Sequence, residues 1–316
     1  MSDPILHAYD ASPFTQRALR MLGFKNLDWR WVETPMMLPK DDLIALTGGY
    51  RGTPVLQIGN DVYVDSRLIA LELERRFPEP SLFPAGNAGI ALALVGWSDL
   101  FFRAALKVIL ATSSHTWPEA FRKDREAVFQ DIDFASVGAD LEHAKSQYRA
   151  HAWFLERQLA DGRDFIGGAR PGFADAIAWP VIWVMRGNLP AIATELLGDF
   201  RHLAPWEERI KQQGEGRRMR IAAAAALAEA KASPPHASPS PSNPHAGVQS
   251  HASGITPRPG TQVSITPDDT CRGGVSGEVV ASGPDEIAVL RSSEQTGPVV
   301  VHFPRAGYRI SAAPAT

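Results

Sequence analysis

Apolar and polar positions fall first into short strand-like bursts and then into helical spacing. ILHAY (Ile5–Tyr9) is a brief apolar run, and SPFTQRALRML (Ser12–Leu22) sets Phe14, Ala18, Met21 and Leu22 on one helical face. DWRWVE alternates Trp29, Trp31 and Glu33 against Arg30 and Val32, as a strand does. TPVLQI and DVYV, joined at Gly59-Asn60, predict a hairpin, and SRLIALELERR predicts another amphipathic helix. The order is therefore β-α-β-(α)-β-β-α. From Asn87 to about Ala230 the spacing is helical almost throughout, with broad apolar faces in IALALVGWSDLFFRAALKVILA and FADAIAWPVIWVM. VSITP, VSGEVVAS, EIAVLRS and PVVVHFP then return to β-branched runs between turn residues.

Two seams divide these patterns. Residues 232–260 hold seven prolines and six serines and lack acidic and aromatic side chains. Such a stretch buries too little apolar surface to offset its ordering entropy, so an extended linker is expected there. A softer seam of prolines and glycines runs from Phe77 to Gly89. The expected organisation is an α/β domain at 1–80, a helical domain at 88–230, the linker at 232–260 and a small β-rich module at 261–316. The alanine-rich RRMRIAAAAALAEAKA is expected to be a solvated last helix.

Composition narrows the function. A net charge of −3 over 316 residues argues against nucleic-acid and anionic-membrane partners, which need a positive footprint. A single cysteine, Cys271, excludes a disulfide scaffold and a cysteine-based zinc site, and suits a reducing compartment. The nine histidines are scattered, and no metal site is expected. No apolar run is expected to span a bilayer, and the start MSDPILHAYD lacks the basic flank of a signal peptide, so a cytoplasmic protein is expected.

Three dipeptides carry candidate chemistry. Ser12-Pro13 follows the first strand, with Pro13 at the favoured first helical position and Ser12 as cap. Thr53-Pro54 opens the third strand, where a residue without an N–H wants a reason. Asp65-Ser66 precedes LIALEL, with Ser66 as expected cap and free helix amides ready for an anion. For each pair, the purely structural alternative is a capped helix or an edge-strand proline.

In this order and spacing the three resemble the cytosolic glutathione transferases over roughly residues 4 to 230. That family has a thioredoxin-like N-terminal domain and an all-helical C-terminal domain. The resemblance implies glutathione as co-substrate. Ser66 would bond its γ-glutamyl carboxylate, Asp65 its ammonium, and Thr53, turned by a cis Pro54, its cysteinyl backbone. Lys40 would meet the glycine carboxylate, with a solvated surface lysine as the alternative. Ser12 would hold the sulfur as thiolate, with a helix cap as the alternative and Tyr9 as a competitor. The sequence departs from the family at GGYRGTP, where Gly48-Gly49 and Arg51 replace the usual residues. Ser12-Pro13-Phe14-Thr15 stands where thioredoxins place two cysteines, which excludes dithiol chemistry.

In the helical domain, Asp175 matches the family's buried helix start and is expected to act as a staple worth about 1–3 kcal/mol. Gly172 stands where that motif has Ser or Thr, and Pro180 is expected to kink the helix. Trp97, Phe101 and Phe102 are expected to line a pocket for a small apolar electrophile, with core packing as the alternative. The resemblance implies a homodimer and is compatible with conjugation, isomerase, lyase or dehalogenase chemistry. The rival is a non-catalytic transferase-fold binding or assembly protein using the β tail as its adaptor.

Overall fold

The computed structural model describes residues 3–233, 257–268 and 273–313. Cys271, most of the Pro/Ser-rich stretch and its His236, His245 and His251 lie outside the described residues. The chain divides into two compact units, one of Met1–Asp10, Asp28–Arg75 and Arg217–Thr316, the other of Ala11–Leu27 and Arg76–Gly216.

The first unit is built on a ten-stranded sheet. Its early strands are β1 (Ile5–Ala8), β2 (Asp28–Glu33), β3 (Val55–Ile58) and β4 (Asp61–Val64). The later strands are β5 (Arg217–Arg220), β6 (Gln262–Pro267), β7 (Val275–Ser282), β8 (Glu286–Ser293), β9 (Gly297–Pro304) and β10 (Tyr308–Ala312). Their order across the sheet is β10-β6-β7-β8-β9-β4-β3-β1-β2-β5. β1 runs parallel to β2, Ile5 facing Arg30, and antiparallel to β3, Leu6 facing Leu56. All four residues of β1, β3 and β4 are buried, as expected of central strands, including the polar His7, Gln57 and Asp61. β3 and β4 turn through Gly59, whose φ of +64° suits a residue without Cβ. Three helices belong to this unit: α2 (Asp41–Thr47), α3 (Ser66–Arg76) and α10 (Ala223–Ala232).

Two expectations from the sequence are corrected here. RRMR is an edge strand, β5, parallel to β2, so residues 217–232 belong with the sheet and not with the helical segment. α10 is no solvated helix: Ala226 and Ala230 are fully buried, and the Ala226 carbonyl accepts the Gln57 side-chain amide at 2.9 Å. The expected C-terminal β-rich segment is present, with five strands among the described residues, and it joins the sheet of the first unit. β9 pairs in parallel with β4, Tyr63 facing His302. One core joins Leu46, Tyr50, Val62 and Val64 to Val263, Val289, Val301 and Phe303.

A buried ion cluster stitches β9 to its neighbours. The His302 ring meets Asp61 of β4 through Nε2 at 3.1 Å and Glu286 of β8 through Nδ1, and stacks on Tyr63 at 4.3 Å. Burial alone would push the imidazole down, but hydrogen bonds and charge from Asp61 and Glu286 outweigh it and hold its pKa at about 9. The folded state therefore keeps a proton that the unfolded chain releases near pH 6.5. The cluster's contribution is complete below that pH and is lost as pH rises through 9. We expect a loss of about 2–3 kcal/mol of stability between pH 6.5 and 9.5 from this group. Urea unfolding of parent and His302→Gln at both pH values checks it; equal slopes in the two proteins refute the assignment.

The second unit is helical. It contains α1 (Pro13–Phe24), α4 (Ala88–Ser113), α5 (Glu119–Val128), α6 (Leu141–Leu159), α7 (Phe173–Asn188), α8 (Pro190–Leu197) and α9 (Leu203–Gln212). Pro180 lies inside a continuous α7. By length and composition α4 is apolar enough to cross a membrane, contrary to the sequence expectation. Its contacts are those of a bundle helix. The Ser98 hydroxyl donates to the Ile177 carbonyl of α7 at 2.8 Å, Asp99 pairs with Arg17 of α1 at 3.0 Å, and Phe101 packs on Tyr148 of α6 at 5.0 Å.

Asp175 anchors α7. Its carboxylate accepts the Ile166 and Gly172 backbone N–H groups at 2.9 and 3.0 Å and the Trp206 indole N–H at 2.8 Å. Gly172 has a steric reason: a Cβ there would lie 2.7 Å from the Leu82 carbonyl oxygen. The side-chain half of the expected cap box is therefore excluded by packing.

Candidate active site

In the first unit, α2 and the Gly48–Gly52 loop lead into Thr53-Pro54. α2 ends at Gly48 (φ +83°), and Gly49 follows at φ +133°, both left-handed positions that favour glycine. The Thr47 hydroxyl lies within hydrogen-bond distance of the Leu43 and Tyr50 carbonyls, which fixes the turn. The Thr53-Pro54 bond is cis, as the resemblance implied. Lys40 is buried: its ammonium donates to the Arg51 carbonyl at 3.1 Å and sits 5.4 Å from the centre of the Tyr9 ring. The solvated-lysine alternative is thus excluded, and Lys40 ties the loop to α2.

The start of α3 departs from expectation by one residue. Asp65, not Ser66, is the cap. Its carbonyl accepts the Ile69 N–H at 3.0 Å, its Oδ1 accepts the Arg67 N–H at 2.9 Å, and Ser66 is the first helical residue. Asp65 stands at φ +73°, a left-handed conformation that Asp tolerates better than most residues. Arg67 also grips the carboxylate, Nε to Oδ1 at 3.2 Å and Nη2 to Oδ2 at 2.8 Å. A carboxylate offers about four acceptor directions, so these three contacts leave room for one further donor. Ser66 is buried at this helix start.

In the second unit, Ser12 caps α1 in an extended conformation, φ −80° and ψ 123°. Its Oγ accepts the Thr15 N–H at 3.2 Å, and Pro13 follows as the first helical residue. Accepting that bond uses a lone pair and leaves the hydroxyl proton to be donated elsewhere. Capping and thiolate stabilisation are therefore compatible roles for one serine. The buried Thr15 Oγ1, in the same first turn, has no hydrogen-bond partner among the described residues.

The three aromatic residues of α4 do not share one face. Phe102 meets Phe14 of α1 edge-on at 5.1 Å, two residues beyond Ser12. Phe101 is fully buried against Tyr148 and lies 5.9 Å from His151, and Trp97 stacks on Phe101 at 5.6 Å. Phe101 belongs to the α4–α6 packing, and Phe102 diverges from it because consecutive helical positions turn by 100°. Sequence reasoning missed Arg17. It is buried, donates to Ser98 Oγ at 3.0 Å beside its Asp99 ion pair, and covers the Phe14 ring at 4.7 Å. Its only signal was a charge on the apolar side of a predicted helix.

Residues 6–81 match the family described as glutathione S-transferase, N-terminal domain, and residues 138–209 its C-terminal domain. A GST-like protein from Pseudomonas syringae is 31% identical in a solved structure, with a TM-score of 0.79 over 99% of this chain and 100% of that one. Glutathione S-transferase U4 of Arabidopsis thaliana is 21% identical over 66% of this chain and 85% of its own. A glutathione S-transferase from Methylobacterium radiotolerans, solved in complex with glutathione sulfonate, shares the fold at TM-score 0.51 and 18% identity, over 70% of this chain and 98% of its own. With the thioredoxin-like strand order, the cis Thr53-Pro54 bond and the Asp65-capped helix already in place, these matches show that the chain belongs to the glutathione S-transferase superfamily.

Proposed function

We propose that this protein is a glutathione transferase that presents the glutathione thiolate to a small apolar electrophile. The observation that carries the proposal is Ser12: a hydroxyl fixed at the first turn of α1 by the Thr15 N–H, with its own proton left to donate. A thiol of pKa about 8.5 is ionised by only a few per cent at pH 7, and a hydrogen bond to the anion favours the charged form. Thr53 offers its backbone to the cysteinyl segment, and Pro54 sets that backbone's direction. Ser66 and the α3 amides receive the γ-glutamyl carboxylate, Asp65 takes its ammonium in the remaining acceptor direction, and Lys40 holds the loop in shape. Phe14 and Phe102 offer the electrophile an aromatic wall. In the substitution form of the reaction, the sulfur lone pair forms the new S–C bond as the leaving group departs with the electrons of the bond it loses.

Exposed Ile90 and Leu100 on α4 and Trp153 and Phe154 on α6 support association with a second copy, since large apolar side chains cluster at such interfaces. Calorimetric titration with glutathione, and ultraviolet titration of the bound thiol, test the proposal. Micromolar to millimolar uptake with a thiolate band at pH 7 is expected, and light scattering on the same sample should give twice the chain mass. No uptake at millimolar glutathione defeats the proposal. Uptake without the thiolate band favours the rival binding module.

A further inference from the structure

The five C-terminal strands touch the unit's own glutathione-facing segments at several independent points. Arg291 of β8 reaches the end of α2, where its Nη1 donates to the Ile44 and Ala45 carbonyls at 3.2 and 3.3 Å. Those carbonyls lie in the last turn, and the Ile44 oxygen, which already accepts the Gly48 N–H at 2.8 Å, has a second lone pair for Arg291. Ser293, two residues on and so on the same face of the strand, points its hydroxyl at the Ala45 carbonyl at 3.4 Å. Arg291 also fills the space beside Gly48, where a Cβ would lie 2.4 Å from Nη1.

The loop after α2 is held in the same way. Gly273 and Gly274, just before β7, lie backbone against backbone with it: a Cβ on Gly273 would lie 2.4 Å from the Gly49 carbonyl oxygen, and one on Gly49 would lie 2.5 Å from that of Gly274. Tyr50, buried in the shared core, meets Phe303 of β9 edge-on at 6.4 Å. Thr53 follows only three residues later. At the other end of the site, the β9–β10 turn brings Gly307 against Arg67, where a Cβ would lie 3.0 Å from Nη2. Arg67 is the residue that grips Asp65.

We infer that the C-terminal strands are a positioning element for glutathione: Arg291 and the Gly273-Gly274 backbone set the Gly48–Thr53 loop, and the Gly307 turn seats Arg67 against Asp65. The tail makes no contact with the tripeptide in this scheme; it acts through the groups that do. The inference rests on the proposed glutathione site and assigns the tail a share in its affinity. It assigns the tail no part in ionising the sulfur, because Ser12 and α1 receive none of these contacts.

The test uses the full chain, with glutathione as probe. Arg291→Met removes the donors to α2, Arg291→Lys restores a cation there, and Gly273→Ala pushes on the Gly49 carbonyl without changing charge. A lost charge-assisted hydrogen bond corresponds to about a tenfold change in affinity, so Kd for glutathione should rise about that much in Arg291→Met. Gly273→Ala should move it the same way, and Arg291→Lys should recover most of the loss. The bound thiol should titrate as in the parent in all three. Unchanged Kd in folded Arg291→Met and Gly273→Ala overturns the inference. So does a rise in Kd matched by a shift in thiol titration, which marks a general loosening of the fold. Should Arg291→Met fail to fold on melting by circular dichroism, Gly273→Ala carries the test alone. The parent is titrated first, because a parent that takes up no glutathione sinks the underlying site and this inference with it.

Discussion

Asp175→Ala is expected to cost about 3–5 kcal/mol, more than sequence alone suggested. A helix-start carboxylate bonded only to its own cap would be worth about 1–3 kcal/mol. The structure gives Asp175 two further donors, the Ile166 N–H and the Trp206 indole N–H. Truncation leaves all three donors buried without an acceptor. Burial pushes the carboxyl up to about 6, against the pull of those same donors, so it remains ionised at pH 7. Because its folded pKa is raised, ionising this group works against folding as pH climbs from about 4 through 6. Asp175→Asn separates charge from geometry. Its oxygen can serve Ile166 and Trp206, but its NH2 then faces the Gly172 N–H, donor against donor. We therefore expect Asn to be intermediate and Ala worst, with a drop in Tm of about 10 °C for Ala. Calorimetric melting of the three proteins at pH 7 decides it, and coincident melts would show that the three donors find water instead.

The strand and helix alternation before residue 80 was legible because each element carries its own period. The Ser12 cap was legible because serine before a helix-starting proline is a favoured cap, and the cis Thr53-Pro54 bond was implied by the family resemblance. β5 was not. RRMR has no apolar alternation, and its pairing with β2 is supported by side chains far away in sequence: Arg217 with Asp28, Arg218 with Asp10 at 2.6 Å, and Arg220 with Glu33 at 3.8 Å. The tail's attachment had one readable sign. DVYV is too short and too apolar to be left as an exposed edge, and it is wholly buried, paired between β3 and β9. What covers it could not be read, because parallel pairing between β4 and β9 crosses more than 230 residues and leaves no local pattern. Arg291 is illegible for the same reason: a helix end seeking donors does not name the residue that supplies them. The cap of α3 was misplaced by one residue because Asp and Ser are both strong cap formers, and the Ile69 and Arg67 N–H bonds to Asp65 distinguish them.

Ser12→Ala is expected to raise the pKa of bound glutathione by about 1–2 units, because a hydrogen bond to an ion is worth about 1.5–3 kcal/mol. With the parent thiol mostly ionised at pH 7, that lowers turnover with 1-chloro-2,4-dinitrobenzene about three- to thirtyfold. Glutathione Kd should change less, since Thr53, Asp65 and Ser66 do not depend on the Ser12 hydroxyl. The substitution also removes a cap, so some stability is lost with it, about 1 kcal/mol. Ser12→Asp resolves the two roles. Aspartate accepts the Thr15 N–H as well as serine does and keeps the helix capped, but it brings a negative charge where the sulfur is to be anionic and has no proton to give. Melting should then be close to parent while the bound thiol stays protonated at pH 7. Ser12→Thr keeps both the acceptor and the proton and should retain most activity. A serine that only caps gives the opposite pattern: Ala less stable but with the parent's thiol titration, and Asp equal to parent in both. Spectrophotometric titration of the bound thiol between pH 5 and 10, beside a melt of each variant, separates the two outcomes on one set of four proteins.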